Sequence, residues 1–243
     1  MKTYGLIGKR ISHSLSPRFF ANKIKKEGIL NAEYKLFPLA SIEELPKLLA
    51  IQYNLRGLNV TIPYKEEVLD YLDFISKEAE TIGAVNTIAI RDRKLYGYNT
   101  DVYGFQCSLE RMIKNKKPDK ALILGTGGAS KAVSYALKQL KIPFSYVSRK
   151  RENNYYNYTT LGDDIRNYDL IVNTTPLGMY PQTETSPNLA YDYLQKNQIL
   201  YDLVYNPEQT VFLQEGEKRA CLTKNGLEML HLQAEKAWKI WNE

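Results

Sequence analysis

The fold of the second half of this chain is decided by the stretch Lys120-Ala121-Leu122-Ile123-Leu124-Gly125-Thr126-Gly127-Gly128-Ala129-Ser130-Lys131-Ala132. Its apolar residues predict a strand, the glycines predict a tight turn, and the residues that follow predict a helix. In dinucleotide-binding folds, such glycines let the backbone approach a pyrophosphate, and the helix N-terminus favours its negative charge. The spacing is Gly-x-Gly-Gly-Ala rather than Gly-x-Gly-x-x-Gly, so the elements on either side have to support this interpretation.

The residues after this stretch complete a strand-helix-strand unit. We predict a helix over residues 130–140 and a second strand over residues 144–148. An NAD-binding protein places an acidic residue at the end of that second strand, where it holds the ribose 2′-hydroxyl. This chain has Ser148-Arg149-Lys150-Arg151 there instead. Three cations suit a 2′-phosphate and predict NADP(H) as the cofactor, with a solvated basic turn as the alternative.

The first half of the chain also alternates strands with helices. Strands are predicted over residues 4–8, 33–38 and 57–60, and helices over residues 18–27, 42–51, 68–74 and 77–82. A β-hairpin over residues 88–98 is predicted to turn at Asp92-Arg93-Lys94. The alternation predicts an α/β fold with a mainly parallel sheet, in which ligands bind beyond the carboxyl ends of the strands.

Polar residues follow two of these predicted strands. Ser14 and Ser16 come after the first strand, and two hydroxyls beside helix-end amides form a natural carboxylate site. Capping of the helix by Ser16 is the alternative. After the third strand, Pro63 is predicted to begin a helix, which places Lys65 in its first turn. The helix dipole disfavours a cation there, so a functional role competes with simple exposure to water.

Two more polar positions, Asn86 and Asp101, stand out before the middle of the chain. Asn86 lies among apolar residues, and a buried Asn either caps a backbone group or faces a polar ligand. Asp101 precedes a helix that is predicted to run toward Lys114. Capping of that helix by Thr100 or Asp101 is the simplest explanation of these side chains.

The remainder of the chain continues the alternation. Strands are predicted over residues 168–173, 200–203 and 221–223, and helices over residues 208–217 and 226–241. In the last helix, apolar residues at helical spacing predict core packing, and Gln233 lies off this stripe. The stripe consists of Leu227, Leu230, Ala234, Ala237 and Trp238.

Composition narrows the classes of partner. The 243 residues carry a net charge of +6, with no basic run long enough for a nucleic-acid arm. Cys107 and Cys221 are too few for a disulfide framework, and with His13 and His231 they show no zinc spacing. No apolar run approaches the roughly 20 residues of a membrane span. We therefore expect a cytoplasmic protein with small anionic ligands and with no metal, nucleic-acid or membrane partner. Its oligomeric state, monomer or homodimer, does not follow from the sequence.

Seven motifs together resemble those of the shikimate dehydrogenase family, in the same order along nearly the whole chain. They are Ser14-Leu15-Ser16-Pro17, Asn59-Val60-Thr61-Ile62-Pro63-Tyr64-Lys65, Gly83-Ala84-Val85-Asn86-Thr87, Asn99-Thr100-Asp101, Gly125-Thr126-Gly127-Gly128-Ala129-Ser130, Asn173-Thr174-Thr175-Pro176-Leu177-Gly178-Met179 and residues 226–233. The resemblance implies an NADP-dependent oxidoreductase that interconverts 3-dehydroshikimate and shikimate, in chorismate and aromatic amino-acid biosynthesis. It also implies a catalytic α/β domain over residues 1–101 and 226–243, facing a Rossmann NADP-binding domain over residues 102–225 across a cleft.

The same resemblance implies roles for individual residues. Lys65 and Asp101 are the implied catalytic pair, since hydride reduction of a ketone leaves an alkoxide that a Lys beside a carboxylate can protonate. The implied substrate-binding residues are Ser14, Ser16, Thr61, Asn86, Tyr205 and Gln233. The implied cofactor-binding residues are Gly125, Thr126, Gly127, Gly128, Ala129, Ser148, Arg149, Lys150, Thr174, Leu203 and Gly226.

Two departures from the family pattern fall in the second half. The family usually has Asn-Arg-Thr where this chain has Ser148-Arg149-Lys150, so Arg149 is kept while its neighbours differ. Residues 151–162 are short for a full helix, and we expect a trimmed Rossmann domain. A quinate-using or NAD-using relative is one alternative, and an NADP-binding regulatory protein without catalysis is the non-enzyme alternative.

Overall fold

A computed structural model describes residues 1–114, 116–149 and 155–243 of the chain. These residues form two compact units. The first unit contains residues 1–103 and 231–243, and the second contains residues 104–230. Among the described helices, none combines the length and the apolar character needed to cross a membrane.

The first unit is built on a six-stranded mixed sheet. Its strands are β1 (Lys2–Gly8), β2 (Ala32–Pro38), β3 (Leu55–Val60), β4 (Phe74–Ile75), β5 (Thr87–Arg91) and β6 (Lys94–Tyr98), in the order β2-β1-β3-β5-β6-β4. Strand β1 is parallel to β2 and β3, and β4 is parallel to β6, whereas β5 is antiparallel to both of its neighbours. The helices are α1 (Ser16–Lys26), α2 (Leu45–Ile51) and α3 (Lys77–Ile82), with 3₁₀ segments at Ile42–Glu44 and Glu67–Tyr71. Helix α4 (Asp101–Ile113) begins in this unit and α8 (Leu227–Asn242) ends in it.

Apolar side chains cover both faces of this sheet. Successive residues of a strand point to opposite faces, and Ile88 and the next residue Ala89 accordingly belong to two different core clusters. The cluster around Ala89 includes Trp241 of α8, whose Nε1 donates to the Ile88 carbonyl at 2.9 Å. Gly57 leaves room for this indole, because an added Cβ would lie 2.3 Å from it. In the predicted stripe of α8, Ala234, Ala237 and Trp238 are buried, as expected for core residues, whereas Leu227 and Leu230 are half-buried.

The second unit contains a five-stranded parallel sheet. Its strands are β7 (Ala121–Leu124), β8 (Phe144–Val147), β9 (Leu170–Asn173), β10 (Ile199–Asp202) and β11 (Leu222–Lys224), in the order β11-β10-β9-β7-β8. Its helices are α5 (Gly128–Gln139), α6 (Tyr158–Leu161) and α7 (Val211–Glu217), with 3₁₀ segments at Gly162–Asn167 and Tyr191–Tyr193. The strand order reverses between β7 and β9, and ligands of doubly wound sheets bind at such a switch point.

The connection between β8 and β9 is short. Tyr156 forms an isolated parallel bridge to Val147, with hydrogen bonds of 2.9 Å from Tyr156 N–H to Tyr146 and from Ser148 N–H to Tyr156. The helix that follows, α6, has only four residues and is capped by the Asn157 side chain. Among the described residues 155–169, this connection contains one bridge, the short α6 and the 3₁₀ segment Gly162–Asn167, with no long helix, as expected for a trimmed Rossmann domain.

The segment after β3 corrects a sequence prediction. Pro63 begins no α-helix: residues 62–66 form turns, and the 3₁₀ segment Glu67–Tyr71 follows. The Lys65 carbonyl accepts the N–H of Val85 at 2.7 Å and is therefore not available as a helical acceptor. Lys65 thus does not lie at a helix N-terminus, and the argument from the helix dipole was wrong.

Two predicted helices are also shorter than expected. In place of a helix over residues 68–74, the 3₁₀ segment ends at Tyr71 and Phe74–Ile75 forms β4, which pairs with Tyr96 and Gly97 of β6. In place of a helix over residues 42–51, a 3₁₀ turn precedes α2, which has a proline in its first turn. In the first segment, pairing with a neighbouring strand overrides the helical periodicity. In the second, the restricted backbone of proline does so.

Candidate functional site

The topology of the first unit brings the predicted catalytic segments to one edge of its sheet. Ser14 follows β1, Lys65 follows β3 and Asp101 follows β6, and these three strands run in the same direction. Strand β5 is antiparallel to them, so Asn86, directly before β5, lies at the same edge. The pairing of these strands therefore brings the four sequence motifs that contain Ser14, Lys65, Asn86 and Asp101 to the same edge of the sheet.

Lys65 and Asp101 form a buried ion pair. The Lys65 Nζ lies 2.5 Å from Asp101 Oδ2, and the two side chains are 14% and 8% exposed. The Asn99 side chain accepts the N–H groups of Asp101 and Val102 at the start of α4, at 3.1 and 3.3 Å. Asn99, rather than Thr100 or Asp101, therefore caps this helix, and the Asp101 carboxylate remains available for Lys65.

Asn86 joins the ion pair to two other polar side chains. Its Nδ2 donates to Asp101 Oδ1 at 2.8 Å, to Thr100 Oγ1 at 3.0 Å and to Gln233 Oε1 at 3.4 Å. Its Oδ1 accepts the Thr100 N–H at 2.7 Å. The first alternative from the sequence is confirmed, because Asn86 satisfies the backbone N–H of Thr100. Contact of Asn86 with a polar ligand stays a prediction, and its amide also faces the Asp101 carboxylate. The structure thus brings Lys65, Asp101, Asn86 and Gln233 into one network.

The two predicted carboxylate-binding serines lie at the start of α1. This helix begins at Ser16 itself, and its N-cap position is Leu15, which makes no side-chain cap. The Ser14 Oγ accepts the Ser16 N–H at 3.2 Å instead. The prediction that Ser16 caps the helix with its side chain was therefore wrong, and the Ser16 hydroxyl is not used for that purpose.

Thr61 lies on the same edge of the sheet, next to the loop after β1. Its N–H donates to the Ile7 carbonyl at 3.0 Å, which fixes it beside β1. Its methyl group would lie 2.5 Å from a Cβ added at Gly8, so Gly8 is required for this close approach. Thr61 is therefore held beside the end of β1, directly after β3.

In the second unit, the glycine-rich turn has the form that was predicted. Gly125 follows β7 with a φ of 105°, a conformation that favours glycine. Helix α5 begins at Gly128, two residues before the predicted start, and its N-cap, Gly127, provides no side-chain hydrogen bond. An added Cβ at Gly127 would meet nothing within 4 Å. Uncapped amides and open space at a helix N-terminus fit the pyrophosphate of a dinucleotide.

Three other predicted cofactor-binding residues lie close to the ends of β9 and β10. Thr174 donates through Oγ1 to the Leu124 carbonyl at 2.6 Å, and this hydroxyl would lie 3.0 Å from a Cβ at Gly125. Leu203 and Gly226 meet directly, because a Cβ at Gly226 would lie 2.1 Å from the Leu203 carbonyl oxygen. The backbone of Gly226 is thus packed tightly against that of Leu203.

The predicted 2′-phosphate site lies at the end of β8. Ser148 is buried and Arg149 is exposed. Burial raises the pKa of Tyr158, and the Arg149 charge opposes that rise, so the guanidinium lies within electrostatic range of this phenol. Lys150 and Arg151, which were predicted to assist Arg149, lie outside the described residues.

Tyr205 is the one predicted substrate-binding residue in the second unit. It follows β10 and is half-buried, whereas Ser14, Thr61, Asn86 and Gln233 belong to the first unit. Its role therefore remains a prediction from the family resemblance.

Sequence reasoning overlooked Asp202 at the end of β10. This carboxylate is fully buried and accepts hydrogen bonds from Thr210 Oγ1 at 2.6 Å, Asn173 Nδ2 at 2.9 Å and Val204 N–H at 3.0 Å. Burial raises the pKa of Asp202 to about 7, against the opposing effect of these three donors. The signal in the sequence is an Asp inside the apolar run Ile199-Leu200-Tyr201-Asp202-Leu203-Val204.

Comparison with known proteins adds independent information. Residues 6–88 match the family model of the shikimate dehydrogenase substrate binding domain. A shikimate dehydrogenase (NADP(+)) from Clostridium beijerinckii is 44% identical over 255 residues, covering 100% of this chain and 93% of the relative. The Thermus thermophilus shikimate 5-dehydrogenase in complex with NADP(H) and shikimate is 33% identical, with a TM-score of 0.86 over 99% of this chain and 93% of that one. A shikimate 5-dehydrogenase from Listeria monocytogenes, in complex with shikimate and NAD, is 30% identical with a TM-score of 0.82 over 100% and 92%.

Proposed function

Because this chain belongs to the shikimate dehydrogenase family, we propose that it catalyses the reversible, NADP-dependent reduction of 3-dehydroshikimate to shikimate. This oxidoreductase reaction serves chorismate and aromatic amino-acid biosynthesis. The observation that carries the proposal is the largely buried pair of Lys65 and Asp101, which places an ammonium donor beside a carboxylate at the carboxyl ends of β3 and β6.

The proposed chemistry rests on where Lys65 holds its protons. Bound NADPH supplies the hydride. The Lys65 ammonium has three N–H donors, and Asp101 Oδ2 accepts one of them, so further donors can reach the ketone oxygen of the substrate. Lys65 polarises that carbonyl and gives a proton to its oxygen as negative charge develops there. In the reverse direction, the same nitrogen takes the proton from the shikimate hydroxyl.

Asp101 keeps Lys65 oriented for this transfer. One carboxylate oxygen bonds the ammonium, and the other accepts from Asn86 at 2.8 Å. A carboxylate held on both oxygens cannot rotate away from the ammonium. The pair is therefore preorganised before substrate binds, which lowers the reorganisation needed during reaction.

We assign the substrate contacts from the family resemblance and from the chemistry of the side chains. Ser14 and Ser16 bind the carboxylate at the start of α1 through their two hydroxyls. Thr61, Asn86, Gln233 and Tyr205 bind the ring hydroxyls. All are neutral hydrogen-bonding groups, which suits a polyhydroxylated acid.

We likewise assign the cofactor contacts to the second unit. The pyrophosphate binds at the turn made of Gly125, Thr126, Gly127, Gly128 and Ala129. The 2′-phosphate binds Ser148, Arg149 and Lys150, and Thr174, Leu203 and Gly226 line the path of the nicotinamide. The functional division that we propose is a catalytic domain over residues 1–101 and 226–243, with an NADP-binding domain over residues 102–225.

The two cysteines support the cytoplasmic setting that we propose. Cys107 and Cys221 are both free thiols, as expected in a reducing compartment. We therefore propose a cytoplasmic enzyme of small-molecule metabolism, acting as a monomer or homodimer.

A second candidate is relaxed use of NAD or of quinate. The specific observation in its favour is the similar Listeria monocytogenes enzyme, whose structure contains NAD together with shikimate. Arg149 opposes this candidate for the cofactor, since a guanidinium at the end of β8 has no anionic partner on an unphosphorylated ribose.

One assay separates the candidates. Formation of reduced nicotinamide is followed with the purified chain, using shikimate or quinate as the substrate and NADP or NAD as the oxidant. We expect the shikimate and NADP combination to have the highest kcat/KM. Equal rates with NAD would support the second candidate, and no reduction in any of the four combinations, with a folded protein, would refute dehydrogenase function.

A further inference from the structure

A layer of buried polar side chains lies next to Asn86. It consists of Asn59 on β3, Thr87 on β5 and Thr100 after β6, which are 5%, 0% and 1% exposed. Asn59 and Thr87 are directly opposite each other in the β3–β5 ladder. A buried polar group costs free energy unless it is hydrogen-bonded, so each of these side chains needs defined partners.

The hydrogen bonds of Asn59 determine its orientation. Tyr34 OH donates to Asn59 Oδ1 at 2.8 Å, so the carbonyl end of the amide faces Tyr34. The Nδ2 end then faces Thr87 Oγ1 and the Asn86 carbonyl, both at 3.4 Å. Asn59 thus offers a donor, and not an acceptor, to the Thr87 hydroxyl.

This donor directs the single hydrogen of Thr87. With Asn59 Nδ2 on its lone pair, the hydroxyl can give its own hydrogen to Asn86 Oδ1 or to Thr100 Oγ1, both 3.1 Å away. Thr100 Oγ1 already receives Asn86 Nδ2 at 3.0 Å and has two acceptors in reach, Asn86 Oδ1 at 3.2 Å and Gln233 Oε1 at 3.3 Å. Donation from Thr87 to Asn86 and from Thr100 to Gln233 satisfies all of these groups together.

The consequence is a fixed orientation of the Asn86 amide. Its Oδ1 receives the Thr100 N–H and the Thr87 hydroxyl, so its NH₂ group must face Asp101 Oδ1. An amide flip would place a carbonyl oxygen against the Asp101 carboxylate and a donor against the buried Thr100 N–H. Both contacts would be repulsive, and Asp101 would lose the bond that holds it toward Lys65.

We propose that Thr87, aligned by Asn59, is a positioning residue that fixes the Asn86 amide and through it the Lys65–Asp101 pair. This inference rests on the proposed function, since it assumes that Asn86 and the ion pair carry out the reaction. Thr87 acts only through Asn86. When the Thr87 hydroxyl is removed, the Thr100 N–H still holds the Asn86 oxygen, so we expect only a partial loss of kcat.

The test compares Thr87→Val, which removes the hydroxyl and keeps the branched shape, with Thr87→Ser, which keeps the hydroxyl. We expect Thr87→Val to lower kcat about five- to tenfold, the usual worth of one neutral hydrogen bond, with little change in the KM for NADP. Thr87→Ser should recover most of the wild-type kcat. Thr87→Ala serves in place of the valine variant if that protein does not fold.

Thr3→Val is the matched control for a purely structural effect. Thr3 is as buried as Thr87 and is also hydrogen-bonded in the same sheet, to Glu33 at 2.8 Å and Asn54 at 2.7 Å. It lies at the N-terminal end of β1, whereas the proposed site lies beyond the C-terminal end of that strand. Thr3→Val should lose stability in urea as Thr87→Val does, and its kcat should remain that of the wild type. Equal losses of kcat in both variants would show that Thr87 has only a structural role.

A double variant separates failure of the inference from failure of the proposed function. In an Asn86→Ala background, Thr87→Val should change kcat by less than about twofold, because the group that Thr87 positions is gone. If Asn86→Ala lowers kcat strongly and Thr87→Val does not, the positioning role is refuted and the proposed site stands. If Asn86→Ala itself leaves kcat unchanged, the proposed site is wrong. Effects that multiply in the double variant would also refute action through Asn86.

Discussion

Replacing the buried Asp202 with Asn should make the protein more stable at alkaline pH. The Asp202 carboxyl lies at the end of β10 among three neutral donors, and burial raises its pKa from 3.8 to about 7. Because the folded-state pKa lies above the unfolded value, the group stabilises the fold fully below pH 3.8. That stabilisation is lost as the pH rises through about 7. Asn keeps the size of the side chain and remains neutral, so Asp202→Asn should not show this loss.

The magnitude follows from the two pKa values. Each pKa unit corresponds to about 1.4 kcal/mol, and at about pH 5 the unfolded carboxyl is already ionised while the folded one is protonated. Between about pH 5 and pH 8, Asp202 therefore removes about 3 kcal/mol from the free energy of unfolding of the wild type. The difference between Asp202→Asn and wild type should grow by that amount over the same range.

Urea unfolding followed by circular dichroism at the two pH values measures this difference. Asp119→Asn in the same unit is the control, because Asp119 is exposed and its replacement should leave the pH dependence unchanged. An unfolding free energy difference between Asp202→Asn and wild type that is the same at both pH values would refute the reasoning. Such a result would mean that Asp202 is ionised in the folded protein throughout this range.

Four further outcomes are expected. Lys65→Ala should lower kcat by about 10² to 10⁴ with NADP binding intact, and a loss under about tenfold in initial rates would contradict its role as general acid. Ser14→Ala and Ser16→Ala should raise the KM for shikimate more than they lower kcat, because the carboxylate is held alike in ground and transition states; an unchanged KM in both would remove them from the site. Arg149→Ala should weaken NADP binding by about one to two powers of ten and leave NAD nearly unaffected, as titrations with both cofactors would show. Gly226→Ala should lower the thermal unfolding midpoint and NADP affinity, since its Cβ would overlap the Leu203 carbonyl, and normal values of both would argue against that contact.

Local sequence rules were sufficient where an element depends on its own residues. The glycine-rich turn after β7 was predicted because positive φ and close approach both require glycine, and Gly125 adopts a φ of 105°. The hairpin turn at Asp92 and Arg93 was predicted from its polar residues, and both adopt positive φ. The α/β class and the family are confirmed by the sheet topology and by full-length relatives.

Local sequence rules failed where a backbone or side-chain group forms its hydrogen bond with a residue that the local pattern does not indicate. A helix at Pro63 was expected from proline alone, but the Lys65 carbonyl pairs with Val85, twenty residues away. Capping by Thr100 or Asp101 was expected from their position, but the Asn99 side chain takes that role. The roles of individual residues in binding stay predictions, although the structure places Lys65, Asp101, Asn86 and Gln233 together as those roles require.

By itself, the sequence determined the alternation of strands and helices, the glycine turn, the basic end of β8 and the set of polar residues at strand ends. Hydrophobic periodicity and backbone preferences involve only a few neighbouring residues, so these features can be predicted from the sequence without knowledge of the fold. Only the tertiary structure decided that Asp101 bonds both Lys65 and Asn86, that Asn86 reaches Gln233, and that Asp202 is buried among neutral donors. Those contacts join segments far apart in the chain, and their geometry depends on strand order and packing, which no local pattern specifies.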